Sequence, residues 1–203
     1  AVEATGRRCI AVPTNVRDMA ALQNLVDETK KQLGRVDILV NNAATNPFFG
    51  KIQDIDERAW DAVMNTNVKS LFFLSKMARE AMLEHGDGGS IINVSSVGGF
   101  RASDVLGAYS ISKAADIMVT QVCAKSWGVD NIRVNCIAPG LIKTDFSRAL
   151  WENPDTLKGS ASGSALRRIG DPDEMAGAVV YFASPASSFV TGQTIVLDGG
   201  GVL

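Results

Sequence analysis

Cysteine is scarce in this chain and follows no pattern. The three residues, Cys9, Cys123 and Cys136, are odd in number and far apart along 203 residues. A disulfide framework or a zinc site needs closer, paired spacing, so reduced, buried thiols in a cytoplasmic protein are expected of all three instead. An excess of one charge is lacking too. Twenty basic residues against 22 acidic ones leave a net charge of −2, which offers no broad attraction for nucleic acid or an anionic membrane. No apolar run reaches the ~18 to 20 residues that a membrane helix requires. The first residues lack the basic-then-apolar order of a targeting segment, and Gly201-Val202-Leu203 is not a peroxisomal address. There is no internal repeat and no low-complexity tract. A composition of 46% apolar and 21% charged residues is that of a globular enzyme with a sizeable core.

Short apolar runs rich in β-branched residues alternate with longer amphipathic stretches. Strands are predicted over 9–12, 36–40, 90–94, 132–137 and 193–197. Several are apolar at nearly every position, as strands buried on both faces of a parallel sheet are. Helices are predicted over 18–33, 57–84, 109–127 and 172–183. Asp171-Pro172-Asp173-Glu174 and Asp54-Ile55-Asp56-Glu57 read as helix starts, and Gly34 as a stop. The β-α-β-α order predicts an α/β fold: a doubly wound parallel sheet in a Rossmann-type three-layer α/β/α sandwich, one domain over 1–203.

Residues 1–6 read as the tail of a helix leading into the strand at 9–12. A dinucleotide fold opens earlier, with a strand and a Gly-rich turn whose amides hold a pyrophosphate. No such turn occurs here, because Asp198-Gly199-Gly200-Gly201 has no helix after it. The expectation is therefore a domain lacking its first β-α-β portion, which by itself would hold a dinucleotide poorly. Residues 141–166 break the alternation with Pro154, two glycines and many small polar residues. A long connection after the C-terminal end of a strand reads as a substrate-binding lid.

Tyr109-Ser110-Ile111-Ser112-Lys113 puts Tyr109 and Lys113 four apart, on one helix face. A tyrosine pKa near ~10 suits proton transfer at neutral pH only if something stabilises the phenolate, and a nearby ammonium does so. Ser95-Ser96 follows the predicted strand at 90–94, where a hydroxyl can polarise a substrate oxygen. Asn67 falls inside a predicted helix, where a buried asparagine needs a polar partner. Taken singly, each has an ordinary reading: a surface pair, a turn serine, a solvent-facing asparagine.

Taken together, Asn41-Asn42-Ala43-Ala44, Asn67, Ser96, Tyr109, Lys113 and Pro139-Gly140 resemble the short-chain dehydrogenase/reductase family over essentially the whole chain. The resemblance implies an oxidoreductase that moves a hydride between a nicotinamide cofactor and a small-molecule carbonyl or secondary alcohol. Tyr109 would be the general acid-base, Lys113 its activator and a ligand of the cofactor ribose, and Ser96 the group orienting the substrate oxygen. Asn67 would hold a relay water. Ser96 is preferred to Ser95 because the family places its serine thirteen residues before the tyrosine.

Asn42, Ala43 and Ala44 would line the cofactor, although the family usually has glycine where Ala44 stands. Pro139, Gly140, Ile142 and Thr144 would clamp the nicotinamide. Asn15-Val16 stands where the family often has Asp-Val at the adenine pocket. Asn46-Pro47-Phe48-Phe49-Gly50 and residues 141–148 look like the NADP-dependent carbonyl and retinol reductases, which implies NADP(H), with NAD(H) as the alternative. Phe48, Phe49, Phe146 and Trp151 are read either as an apolar substrate wall or as core.

His85 is read as a helix-end residue, Trp60 and Trp127 as packing residues, and no metal ligands are expected. The long helices at 57–84 and 109–127 carry more apolar residues than one core-facing stripe needs. With the resemblance, that implies a homotetramer, or second a dimer. Two rival readings are an epimerase or dehydratase of the same chemistry, and a binding or regulatory protein that keeps the fold without turnover.

Overall fold

Each helix begins and ends where its local chemistry allows. Asp18 opens α1 (Met19–Leu33) by accepting hydrogen bonds from the Ala20 and Ala21 amides, and Gly34 closes it with φ of 102°. Asp56 opens α2 (Glu57–Val63) through the Ala59 amide. The predicted helix at 57–84 is continuous but not uniform. Between α2 and α3 (Ser70–Leu83) the chain widens into a π-helical turn, Met64–Lys69, and Asn67 sits inside it. The remaining long helices are α4 (Gly107–Trp127) and α7 (Asp173–Ala183). The cap of α7 is not the Asp171 side chain. Glu174 reaches back to accept from the Asp171 amide at 2.8 Å, and Arg168 holds its carboxyl down at about 2.

The strands β1 (Ile38–Asn41), β2 (Gly89–Val94), β3 (Ile132–Pro139) and β4 (Thr194–Leu197) form one parallel sheet in the order β1-β2-β3-β4. In this computed structural model, which describes residues 1–203, α3 and α4 cover one face, with α1 against α3, and α7 covers the other. The larger core lies on the first face and includes Leu22, Met82, Ile91, Cys123, Ile132 and Val134. The second centres on Ile92, Ile137 and Phe182. The three layers expected from the alternation are in place.

Residues 9–12 do not form a strand. Strand backbone groups need a neighbour to pair with, and none of the four strands pairs with this segment. It runs irregularly beside α1, held by the Arg8 guanidinium, which donates to the Gln32 and Leu33 carbonyls. The helix tail expected at 1–6 is a single 3-10 turn, Glu3–Thr5. On this side β1 is an edge strand. Ile38 and Val40 are 47% and 42% exposed, so burial on both faces holds for β2 and β3 but not for β1.

Candidate active site

All four strands point the same way, so the loops at their C-terminal ends gather on one edge, where open α/β sheets keep their ligands. At the end of β2 the two serines part. Ser95 turns inward and donates to the Lys113 carbonyl at 2.7 Å, a structural tie between strand and helix. Ser96 stays half-buried and caps the next turn by accepting from the Gly98 amide at 3.1 Å. A Cβ placed on Gly98 would lie 3.5 Å from Ser96 Oγ and 3.8 Å from Tyr109 Cε1. Ser110 Oγ stands at 3.4 Å from the same point, so Ser96, Ser110 and the Tyr109 ring come together around Gly98. Gly99 presses on α4 so closely that a Cβ there would meet the Lys113 carbonyl at 2.9 Å.

Tyr109, Lys113 and Asp116 follow one another along α4 at spacings of four and three. The Lys113 ammonium lies 5.7 Å from the Tyr109 ring centroid. Lys113 is only 2% exposed, and its Nζ donates to the Val94 carbonyl and to Asp116 Oδ2, both at 2.9 Å. Asp116 is fully buried, and its other oxygen, Oδ1, has no partner. Burial pushes the Asp116 carboxyl up to about 6, against the opposing pull of Lys113. Asp116 carries no mark in the Tyr-Lys spacing itself.

Asn67 is buried and its side chain is fully engaged. It accepts from the Thr45 amide at 2.8 Å and donates to the Thr45 carbonyl and to Ser112 Oγ. It therefore ties the loop after β1 to α4. A second set of buried polar groups lies beneath it. Asn41 Nδ2 donates to Ser75 Oγ and Asn93 Oδ1, and Asn93 Nδ2 donates to Thr120 Oγ1. Beyond Asn41 the side chains of Asn42 and Ala43 are exposed and Ala44 is half-buried.

At the end of β3, the Gly140 amide donates to the Leu197 carbonyl, and a Cβ on Gly140 would lie 2.7 Å from that of Asp198. Ile142 is buried and bridges to Gly170, while Thr144 Oγ1 meets Ser147 Oγ at 3.0 Å. The 141–166 segment folds into two short helices, α5 (Arg148–Trp151) and α6 (Pro154–Gly163). It is held at both ends. Lys143 and Leu141 bond the Gly170 backbone, and Ser164 Oγ and the Leu166 amide both donate to the Gly199 carbonyl.

Of the four aromatics considered for a substrate wall, Phe146 places its ring 6.2 Å from that of Tyr109. Trp151 instead lies under the Lys143 ammonium and donates to the Thr144 carbonyl, and Phe48 folds over Gly50. Phe49 is exposed. Asn15 is exposed before α1, its side chain accepting from the Arg17 amide, and no hydrogen bond links it to the cluster around Tyr109. Val16 packs on the larger core, as does Trp127 beneath Arg79. His85 bonds the Val36 carbonyl at the end of α3, the helix-end role expected of it. No helix is long and apolar enough to cross a membrane.

A parallel α/β sheet with Ser, Tyr and Lys gathered at its C-terminal edge defines a Rossmann-type domain of the oxidoreductase class. The family described as enoyl-(acyl carrier protein) reductase matches residues 1–201. Dehydrogenase/reductase SDR family member 4 of Oryctolagus cuniculus is 40% identical over 200 residues, covering 98% of this chain and 76% of that protein. This chain belongs to the short-chain dehydrogenase/reductase family of NAD(P)-dependent oxidoreductases. It spans between 60% and 76% of the length of the member 4 proteins it matches. Among solved structures, gluconate 5-dehydrogenase of Burkholderia cenocepacia in complex with NADP and tartrate superposes with a TM-score of 0.88 at 32% identity, covering 92% of this chain and 72% of that one. Carveol dehydrogenase of Mycobacterium avium in complex with NAD gives 0.92 at 30% identity, covering 98% and 77%.

Proposed function

We propose that the protein interconverts a small-molecule carbonyl and its secondary alcohol, with Tyr109 as the acid-base group. The observation that carries this reading is the convergence of Ser96 Oγ and the Tyr109 ring around Gly98, with the Lys113 ammonium behind. In reduction the Tyr109 phenol gives its proton to the substrate oxygen; in oxidation the phenolate takes it back. Lys113 stabilises the phenolate by charge. Ser96 donates to the substrate oxygen and stabilises negative charge as it develops there. Asn67 acts by holding the Thr45 loop on α4 and, in this reading, helps place a relay water. The 141–166 segment serves as a lid that brings Phe146 over the substrate and excludes water.

The residues at the C-terminal edge of the sheet fit the ribose and nicotinamide portion of a nicotinamide cofactor. An ammonium has three N–H groups, and Lys113 uses two, leaving one for a ribose hydroxyl. Asn42, Ala43 and Ala44 offer an approachable backbone after β1, and Pro139, Gly140, Ile142 and Thr144 would hold the nicotinamide end. Asn15 and Val16 would border the adenine. When bound, the cofactor supplies or receives the hydride. NADP(H) is the proposed form, supported by the resemblance to NADP-dependent reductases and by the NADP named in the gluconate dehydrogenase complex; NAD(H) is the alternative.

A cytoplasmic setting belongs to the same reading, since all three cysteines are free thiols; Cys123 and Cys136 are buried, whereas Cys9, expected to be buried, is exposed in the irregular segment before α1. So does a symmetric homotetramer, with a dimer second. Ile111, Met118 and Val122 form an exposed apolar stripe along α4, and Val180, Phe189 and Leu203 are exposed elsewhere. Light scattering tests assembly, and a persistent monomer at micromolar concentration overturns it. Tyr109→Phe tests the chemistry in protein that also carries a Gly-rich pyrophosphate-binding turn ahead of these residues. The substitution keeps the ring and removes the transferable proton, so turnover should fall by at least ~10²-fold. Near-normal turnover in folded protein overturns the assignment.

A further inference from the structure

Lys113 does not act on Tyr109 alone, because its ammonium is also paired with the Asp116 carboxylate. We propose that Asp116 is a positioning residue, the counter-ion that keeps Lys113 charged inside the protein and thereby sets the proton affinity of Tyr109. This deepens the reading of Tyr109 as the acid-base group and rests on that reading for its catalytic meaning.

An ammonium that is 2% exposed has lost nearly all its water. The Val94 carbonyl at 2.9 Å replaces one hydrogen bond but carries no charge. A buried amine in such surroundings gives up its proton readily, unless an anion lies beside it. Asp116 Oδ2 supplies that anion at 2.9 Å, from one turn further along the same helix. The groups facing this pair leave no substitute. From β3 the Cys136 thiol is pushed up to about 11, chiefly by burial, and stays neutral across the working range. Beside it on β4 stands the neutral Thr194. Asn93 on β2 and Ser95 just after it are also neutral, and along α4 the remaining titratable neighbour is Tyr109 itself.

Asp116 is also poorly served as a purely structural residue. Its Oδ1 is buried without a partner, and burial outweighs Lys113 in raising its carboxyl to about 6. A carboxylate retained only for packing would be better replaced by an apolar side chain. Above pH of about 6 it is ionised, the state in which it holds the lysine charged.

The chain has two tyrosines, so in a Tyr181→Phe background Tyr109 is the only phenol left to titrate. Its phenolate absorbance can be followed against pH without cofactor or substrate. Asp116→Asn is expected to raise the Tyr109 midpoint by about one pH unit, because Lys113 loses its proton before the phenol does. Lys113→Met should raise it by as much, and the double variant no further. Asp116→Glu, which restores the charge, should bring the midpoint back. An unchanged or lowered midpoint in folded Asp116→Asn protein overturns the proposal, and so does failure of Asp116→Glu to restore it.

Should Asp116→Asn not fold, the carboxyl-carbon resonance of Asp116 in the unaltered chain decides. An ionised carboxylate at neutral pH is expected, and a protonated one there overturns the proposal. Because neither readout involves turnover, it can fail while Tyr109→Phe still abolishes catalysis, and it can succeed if Tyr109 proves not to be the acid-base group.

Discussion

Two buried polar clusters lie between α4 and the sheet, and they are built on opposite terms. Asn41, Ser75, Asn93 and Thr120 are all neutral, and each finds a partner among the others or on the backbone. Lys113 and Asp116, which precede Thr120 on α4 by about two turns and one turn, are both charged and leave Oδ1 without a partner. The neutral set binds β1 and β2 to α3 and α4 at little electrostatic cost. The charged pair carries a desolvation cost that packing alone does not justify. Its place beside Tyr109 supplies a reason. Fold and chemistry share one helix but use different parts of it.

Breaking the charged pair should have the largest effect on stability. Lys113→Met leaves the Asp116 carboxylate buried and alone, which should cost about 3 to 5 kcal/mol near neutral pH by urea unfolding. The pH dependence follows from the raised Asp116 carboxyl, at about 6 folded against 3.8 ordinarily. Below the lower value Asp116 is neutral in both folded and unfolded chains. As pH rises through the upper value the folded chain must give up a proton it holds more tightly, so stability contributed by this group is lost. The penalty of Lys113→Met should therefore shrink markedly at acid pH, where its carboxyl is protonated. A penalty of equal size at both pH values would mean that the two clusters behave alike.

Asn93→Ala should come next. It leaves Asn41 Nδ2 and Thr120 Oγ1 each short of a partner, at a cost of about 1 to 3 kcal/mol that does not vary with pH. The same urea series run at acid and neutral pH separates it from the charged pair. Ser75→Ala is the smallest test. Its hydroxyl accepts from Asn41 and donates to the Leu71 carbonyl, so about 1 kcal/mol is expected, with turnover unchanged. Lost turnover here would show that the neutral cluster reaches the chemistry after all.

Much of this could be read from the residues alone. Tyr109 and Lys113 declared a shared face by their spacing, and Asn67 in mid-helix demanded a partner that proved to be Thr45 and Ser112. Ser96 needed the family spacing, because nothing in Ser95-Ser96 says which hydroxyl turns inward. Residues 9–12 suit a strand by composition and yet form none, because composition does not report whether a neighbouring strand is there to pair. The π-helical turn at Met64–Lys69 left no mark in the apolar spacing. Asp116 was passed over because an acid on a helix ordinarily faces water. One signal could have found it. Ser112, Asp116 and Thr120 recur every four residues and lead straight into Cys123 and Ala124, all buried.

The Gly199 carbonyl holds the rear of the 141–166 segment through both Ser164 and Leu166. That fastening lies just past β4, in a stretch where Gly199 and Gly200 both take positive φ. Proteolytic clipping there would leave the sheet, the helices and the Ser96–Tyr109–Lys113 cluster in place, yet unfasten one end of the segment that carries Phe146. A preparation so cut would look intact by circular dichroism. Its altered handling of substrate would then be blamed on the wrong residues, so a check by mass for a cut near Gly199 belongs among the controls for every variant described above.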